Sequence, residues 1–88
     1  MTLYHSLNIN EMEITEFIKH FAEQFDEIDS SKLNQETRFK ELTEWSSLVA
    51  LSIIAMVDEE YDVRIKGDDI RNSTTIFDLF EIVKSRVK

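Results

Sequence analysis

The apolar residues of the first third of the chain repeat at the spacing of one helical face. An apolar residue recurs every three or four positions in this part of the chain, in the series Ile14, Phe17, Ile18, Phe21, Ala22, Phe25 and Ile28. Asn10 and Glu13 have the arrangement of a capping box, and acidic residues near the start suit the positive end of a helix dipole. The pattern predicts a first long helix from Glu11 to Glu27.

The most hydrophobic stretch of the chain predicts a second long helix. It reads EWSSLVALSIIAMVDEEY from Glu44, and the helix should run from its serines to Tyr61. Helical geometry groups the residues expected to face the core as Ala50, Ile53, Ile54, Val57 and Tyr61. The opposite, exposed row is expected to be Leu48, Ser52, Ala55 and Glu59, with Val49 and Met56 as an apolar strip beside it.

Two more helices are predicted near the end of the chain. Gly67 is expected to form a left-handed turn, and Asp68 is expected to cap a short helix that contains Ile70. Thr75, with Asp78 three residues later, should cap a last long helix. The apolar face of that helix is Ile76, Leu79, Phe80, Ile82 and Val83.

A long polar connection separates the first two helices. It covers residues 29–45, and scattered apolar side chains should anchor it at Leu33, Phe39, Leu42 and Trp45. Connections of this length in a compact domain often carry function. The fold prediction is therefore a single all-α domain over residues 1–88, a small four-helix bundle of three long helices and a short one with a long first loop.

Composition narrows the function classes. The chain has 88 residues, one glycine, no proline and no cysteine, which rules out disulfides and thiolate chemistry. Its net charge of -8 repels nucleic acid and anionic membranes and favours basic protein surfaces. The start of the chain lacks a signal-peptide pattern and no stretch is long enough to span a bilayer, so we expect a cytoplasmic monomer without membrane insertion.

No stretch predicts a catalytic or metal site. The segment DEIDSSKLNQE lacks the glycine that a calcium-binding EF-hand loop needs. The carboxylates of residues 58–60 fit a solvated helix end, and His20 fits a half-buried structural residue. The nucleophilic elbow of serine hydrolases needs glycines that are absent here. We therefore predict a protein that is not an enzyme and binds no metal.

Ser46 and Ser47 at the start of the second helix have two interpretations. A serine at this place is an ordinary helix cap. The unpaired N–H groups and the dipole at a helix start also stabilise a phosphate group. A serine hydroxyl exposed there, after a flexible loop, is accessible to a modifying enzyme.

The order of motifs around these serines resembles the acyl carrier protein family. The segment TRFKELTEWSSLVALSIIAMVDEEYDVRIKGDDI, followed by STTIFDLFEIV, has the family's sequence of features. These are a loop ending near tryptophan, Ser-Leu, an apolar helix with an acidic end, a V-x-I segment and a T-I-x-D-L helix start. The similarity covers nearly the whole chain, from the first helix to Val83.

The resemblance implies a function and a site. In the family a serine carries 4'-phosphopantetheine, whose thiol holds acyl or aminoacyl groups as thioesters, and the position before Leu48 makes that serine Ser47. Ser46 stands where the family has the aspartate that helps the phosphopantetheinyl transferase and its magnesium engage the serine. Acyl- or aminoacyl-loading and condensing enzymes would be the other partners. The expected partner contacts are Trp45, Leu48, Val49, Met56 and Glu59.

The second interpretation keeps the fold without the modification. In it the chain is an unmodified, carrier-like helical bundle that acts only as a protein-interaction module, and both serines are caps.

Under the carrier interpretation, a second departure from the family concerns Val49 and Ser52. These residues stand at exposed positions where family members usually carry acidic residues, which suggests a dedicated set of partners and not the housekeeping fatty-acid enzymes.

Overall fold

The computed structural model describes residues 3–87, with side chains from Glu13 onward. This part of the chain is all-helical and contains no strand. The helices are α1 (Leu3–Ala22), α2 (Ser47–Tyr61), α3 (Gly67–Arg71) and α4 (Ile76–Arg86). The predicted fold class, a small bundle of three long helices and one short one, is confirmed.

The first helix begins and ends earlier than predicted. It passes through Asn10, so Asn10 is not its cap. Nothing between Leu3 and Asn10 is a proline or a glycine, and a capping residue marks a helix start only where the preceding chain leaves the helix. At the other end, the N–H groups of Gln24 and Phe25 bond three residues back instead of four, which tightens the chain into a turn.

Aromatic rings form the centre of the core. Phe17 of α1 contacts Phe80 of α4 with ring centroids 5.4 Å apart, and it contacts Tyr61 of α2 at 5.8 Å. Phe21, one turn further along α1, meets Phe39 edge-on at 5.3 Å. Pairs of this kind contribute roughly 0.5–1.5 kcal/mol beyond their buried area. The apolar face predicted for α1 therefore contacts each of the other long helices and the long connection.

The predicted apolar side chains anchor the long connection to the core, and of these Leu42 and Trp45 are half-buried. It contains two short 3-10 turns, at Ser30–Lys32 and Phe39–Glu41, and Leu33 and Phe39 are buried. Its backbone also ties it to α4, because the Thr37 carbonyl accepts the N–H of Ile76 at 3.1 Å and the Gln35 carbonyl accepts that of Phe77 at 2.9 Å. These bonds satisfy donors at a helix start that would otherwise lack partners.

Helix α2 faces the core with the predicted side, but the buried surface extends further round the helix than predicted, because Met56 is buried and Val49 and Ser52 are half-buried. Ile53 and Val57 are buried as expected, but the third fully buried residue is Met56, which is only 4% exposed. Ile54 and Tyr61 are half-buried at the edge of the contact. The prediction that Met56 belongs to an exposed strip is wrong, because this side chain packs among the core residues.

The chain turns sharply after α2 and again before α4. The left-handed residue is Asp62, with φ 56° and ψ 40°, and not Gly67, which begins α3. Aspartate is one of the few residues other than glycine that tolerate this conformation. The predicted Asp68 cap is also wrong, since the carboxylate that accepts the Lys66 N–H, at 2.8 Å, belongs to Asp69. The predicted Thr75 and Asp78 capping box of α4 is confirmed.

A two-pronged ion pair fastens α3 to α4. The guanidinium of Arg86 donates to both carboxylate oxygens of Asp69, at 2.8 and 2.9 Å, and also to the Arg64 carbonyl at 3.3 Å. The Arg86 hydrogen bonds, together with the bond from the Lys66 N–H, lower the pKa of Asp69. Asp69 is thus the point where α3, α4 and the segment between α2 and α3 meet.

The burial of Met56 and the exposure of Leu51 predict that two apolar substitutions in α2 change the free energy of unfolding by different amounts. Met56→Ala should lower the free energy of unfolding by about 2–5 kcal/mol, because it removes buried methylene groups and leaves a cavity. Leu51→Ala, on the side where Leu51 is 62% exposed, should change it by no more than about 0.5 kcal/mol. Urea unfolding followed by circular dichroism measures both. Equal losses would contradict the observed facing of α2.

The Asp69 ion pair predicts a pH-dependent contribution to stability. Because the folded-state pKa is lowered, the contribution is present above the unfolded value of about 3.9 and disappears as the pH falls through the folded value. Asp69→Asn should therefore be less stable than the native chain near neutral pH, and the difference should close in acid. Urea unfolding across that range tests it, and an Arg86→Gln background should shrink the difference. A difference that stays constant with pH would contradict the role of the carboxylate.

Candidate functional site

The two serines at the start of α2 have different roles. Ser46 is the N-cap residue, with extended φ of -156° and ψ of 169°, and its Oγ accepts the Val49 N–H at 3.2 Å. Its carbonyl accepts the first helical bond, from the Ala50 N–H at 3.0 Å. One serine is therefore enough to cap the helix, and that serine is Ser46.

Ser47 is the first residue within α2, and it is exposed. Among the residues that the structure describes, none forms a hydrogen bond with its hydroxyl. A group attached to Ser47 Oγ would lie beside the first turn of the helix, where unpaired N–H groups and the dipole favour negative charge. The hydroxyl can thus be reached from solvent and substituted without loss of an internal hydrogen bond.

Apolar side chains lie next to Ser47 on the exposed side of α2. Leu48 is 73% exposed and Leu51 is 62% exposed, and they are one helical turn apart. We call Leu48 and Leu51 the exposed leucine pair. Single exposed leucines are ordinary, but two adjacent ones on one helical face form a surface suited to protein contact.

The residues predicted to contact a partner differ in how far their side chains are exposed. Leu48 and Glu59 are exposed, and Val49 is half-buried against the core. Trp45 is also half-buried, with its ring 5.1 Å from that of Phe39, so much of its surface serves the fold. Met56 is buried and cannot offer its side chain to a partner. Sequence reasoning missed Leu51, although its spacing of three from Leu48 places both on one face.

A cleft borders Ser46 between the turn that follows α1 and the start of α2. It has a volume of about 420 Å³ and is lined by residues 24–27, which follow α1, and by Glu44, Ser46, Leu48, Val49 and Ser52. We call it the α1–α2 cleft. Phe25 is buried at its base, whereas Asp26, Glu27 and Glu44 are exposed carboxylates around it.

The described histidine lies far from Ser47. Its imidazole nitrogens are 3.7–3.8 Å from the carboxylates of Glu16, Glu23 and Glu60. Since Glu60 is thirteen residues beyond Ser47 on α2, His20 lies about 20 Å along the helix from that hydroxyl. His20 therefore cannot act as a general base on Ser47, because proton abstraction needs hydrogen-bond distance.

Tyr61 contains a shielded polar group. Its hydroxyl is buried and has no hydrogen-bond partner among the described residues. Burial, with smaller contributions from the Glu16 and Glu60 carboxylates, raises the pKa of Tyr61 to about 12. The hydroxyl consequently stays neutral, and its burial keeps it from contact with a ligand.

No cluster of three or more His, Cys, Asp or Glu residues in the described part of the chain is arranged to hold a metal ion. None of its helices combines the length and the apolar character required to cross a membrane.

Comparison with known proteins found no match to a family model, to a curated protein or to a solved structure. The resemblance to acyl carrier proteins therefore rests on the residue pattern alone.

The different roles of the two serines predict different costs of removing each hydroxyl. Ser46→Ala should lower the free energy of unfolding by about 1 kcal/mol, because the Val49 N–H loses its acceptor. Ser47→Ala should change it by no more than about 0.5 kcal/mol, as an exposed residue without a hydrogen bond. Urea unfolding of both variants measures this. A larger loss in Ser47→Ala would show that the cap is assigned to the wrong serine.

Proposed function

We propose that this protein is an acyl carrier protein that bears 4'-phosphopantetheine on Ser47. The observation that carries the proposal is the exposed Ser47 hydroxyl, which is free of the capping bond because Ser46 makes it. In the modification, Ser47 Oγ would form a phosphodiester with the phosphopantetheine of coenzyme A. The pyrophosphate bond would break, adenosine 3',5'-bisphosphate would leave, and the transferase would take the serine proton.

The proposed protein is a carrier and not an enzyme. The only described imidazole lies about 20 Å from Ser47 along α2, too far to act as its general base. A carrier needs no base of its own, because the transferase activates the hydroxyl and other enzymes act on the cargo. The terminal thiol of the arm would hold acyl or aminoacyl groups as thioesters and present them to loading and condensing enzymes.

An interaction module without the arm is the second candidate. The exposed leucine pair supports it, because an apolar surface beside acidic residues can bind a partner whether or not Ser47 is modified. The two candidates differ in what the Ser47 hydroxyl does. In the module it has no role, whereas in the carrier it is indispensable.

Intact-protein mass spectrometry separates the two candidates. We expect incubation with coenzyme A, magnesium and a broad-specificity phosphopantetheinyl transferase to add one phosphopantetheine group, and Ser47→Ala to abolish the gain in mass. Ser31→Ala is the control, because it removes an exposed serine hydroxyl of the long connection and should still be modified. Attachment at Ser46, or no attachment with several transferases, would contradict the carrier proposal and favour the module.

A further inference from the structure

A second surface groove lies between α1 and the first part of the long connection. It is lined by α1 residues between positions 14 and 19 and by residues of the connection between positions 30 and 35. Its volume is about 390 Å³, and it shares no residue with the α1–α2 cleft. We call it the α1–connection groove. Sites of this size hold small molecules, so the chemistry of the lining determines what the groove can bind.

The floor of the α1–connection groove is apolar. Ile14 and Leu33 are only 8% and 7% exposed, and Ile18 is half-buried against the core. At the edge of the groove the Gln35 carbonyl accepts the N–H of Phe77 at 2.9 Å, and the side chain of Phe77 remains 40% exposed. The core and this backbone bond hold the floor and the edge in place. An apolar ligand would therefore bind without the cost of ordering its site.

Lys19 gives the groove a positive charge that no described carboxylate neutralises. Its side chain is exposed and forms no ion pair with any described residue. Glu16 and Glu23, about one turn away in either direction on α1, have carboxylate oxygens 3.8 and 3.7 Å from the ring nitrogens of His20. His20 in turn meets Tyr61 of α2 edge-on. The two carboxylates are thus held toward α2, and neither lines the groove.

Uncharged hydrogen-bond donors accompany Lys19 in the groove. The Asn34 side-chain oxygen accepts the Glu36 N–H at 2.7 Å, which leaves the Asn34 amide NH₂ group without a partner among the described residues. The Gln35 side chain and the Ser30 hydroxyl also form no hydrogen bond with a described residue. An ammonium group and amide NH₂ groups are donors that a carboxylate accepts. The polar part of the lining therefore suits an anion.

The net charge of -8 opposes the approach of an anion, but salt limits the range of this repulsion. At about 0.15 M ionic strength, exposed charges more than about 8 Å apart are largely screened from each other. Groups at the groove then decide whether an anion binds there. Among the described lining residues the only charged one is Lys19.

We propose that the α1–connection groove is a reversible binding site for a small organic acid with an apolar tail. The tail would lie on Ile14, Ile18 and Leu33, and the carboxylate would accept hydrogen bonds from Lys19 and from the amide of Asn34 or Gln35. One positive charge matches one carboxylate, and the groove has room for a tail of several carbon atoms. This site goes beyond the proposed carrier function, because its ligand is not attached to Ser47.

Hexanoate is the probe for the groove. Titration into the isotope-labelled full chain at 0.15 M salt is followed by amide chemical shifts, and we expect saturable shifts that are largest at residues 14–19 and 30–35. Acetate, which lacks the tail, and 1-hexanol, which lacks the charge, should each bind more weakly. The absence of saturable shifts, or shifts largest at the exposed leucine pair, would overturn the proposal. Equal binding of 1-hexanol would overturn the role of the carboxylate.

Two variants with the same change in net charge test the role of Lys19. Lys19→Gln removes the charge of the groove, whereas Lys32→Gln removes that of an exposed lysine of the connection that does not line it. We expect Lys19→Gln to weaken hexanoate binding about threefold, and Lys32→Gln to have almost no effect, because an exposed ion pair contributes little beyond its own site. Lys19→Arg keeps the charge and should retain binding. Equal weakening by the two glutamine variants would overturn the proposal.

The outcome is distinguishable from that of the carrier proposal. No lining residue of the groove belongs to α2, so Ser47→Ala should bind hexanoate as the native chain does. Loss of binding in Ser47→Ala would overturn the proposed location. Hexanoate binding without phosphopantetheine attachment would contradict only the carrier function, and attachment without hexanoate binding would contradict only the groove.

Discussion

The buried ring of Phe39 is the contact on which the arrangement of the site depends. It is fully shielded from solvent and lies between Phe21 of α1 and Trp45, which precedes α2. The long connection has only two short 3-10 turns of its own, so its position depends on side chains that enter the core and on its backbone hydrogen bonds to α4. Phe39 and Trp45 together bring the end of the connection against α1 and so determine where α2 begins.

The separation of roles between Ser46 and Ser47 follows from that anchoring. With Trp45 held against Phe39 and Phe25, the next residue is extended and can cap, and the one after it is the first to be helical. At a helix start, the side chain of the N-cap residue accepts a hydrogen bond from one of the unpaired N–H groups of the first turn, here that of Val49. The capping serine and the free serine are therefore distinguished by backbone geometry, although their side chains are identical. The chemical availability of Ser47 is a consequence of the packing behind it.

Much of the fold could be predicted from the sequence, because local patterns determine it. The apolar faces of α1 and α4, the Thr75 and Asp78 capping box and the anchors Leu33 and Phe39 all follow from spacing and side-chain chemistry. The predicted core side of α2 is also correct, with Ile53 and Val57 buried, but the extent of its buried surface could not be predicted in the same way. Apolar residues surround this helix almost completely, so periodicity does not define how far the core side extends. Only the neighbouring helices decide that Met56 is buried and Leu51 is exposed.

The burial of Met56 also limits which part of the α2 surface is open to contact. The helix contains no lysine or arginine, and its acidic residues are confined to its C-terminal end. Near Ser47 its exposed surface is therefore apolar, and the negative charge there comes from the turn after α1 and from Glu44. Both acidic regions can attract a basic binding partner over a distance, whereas the alignment of that partner at Ser47 would depend on groups close to this residue. A contact surface assembled from two chain segments is specified only in the folded protein, and so the sequence of α2 alone does not reveal it.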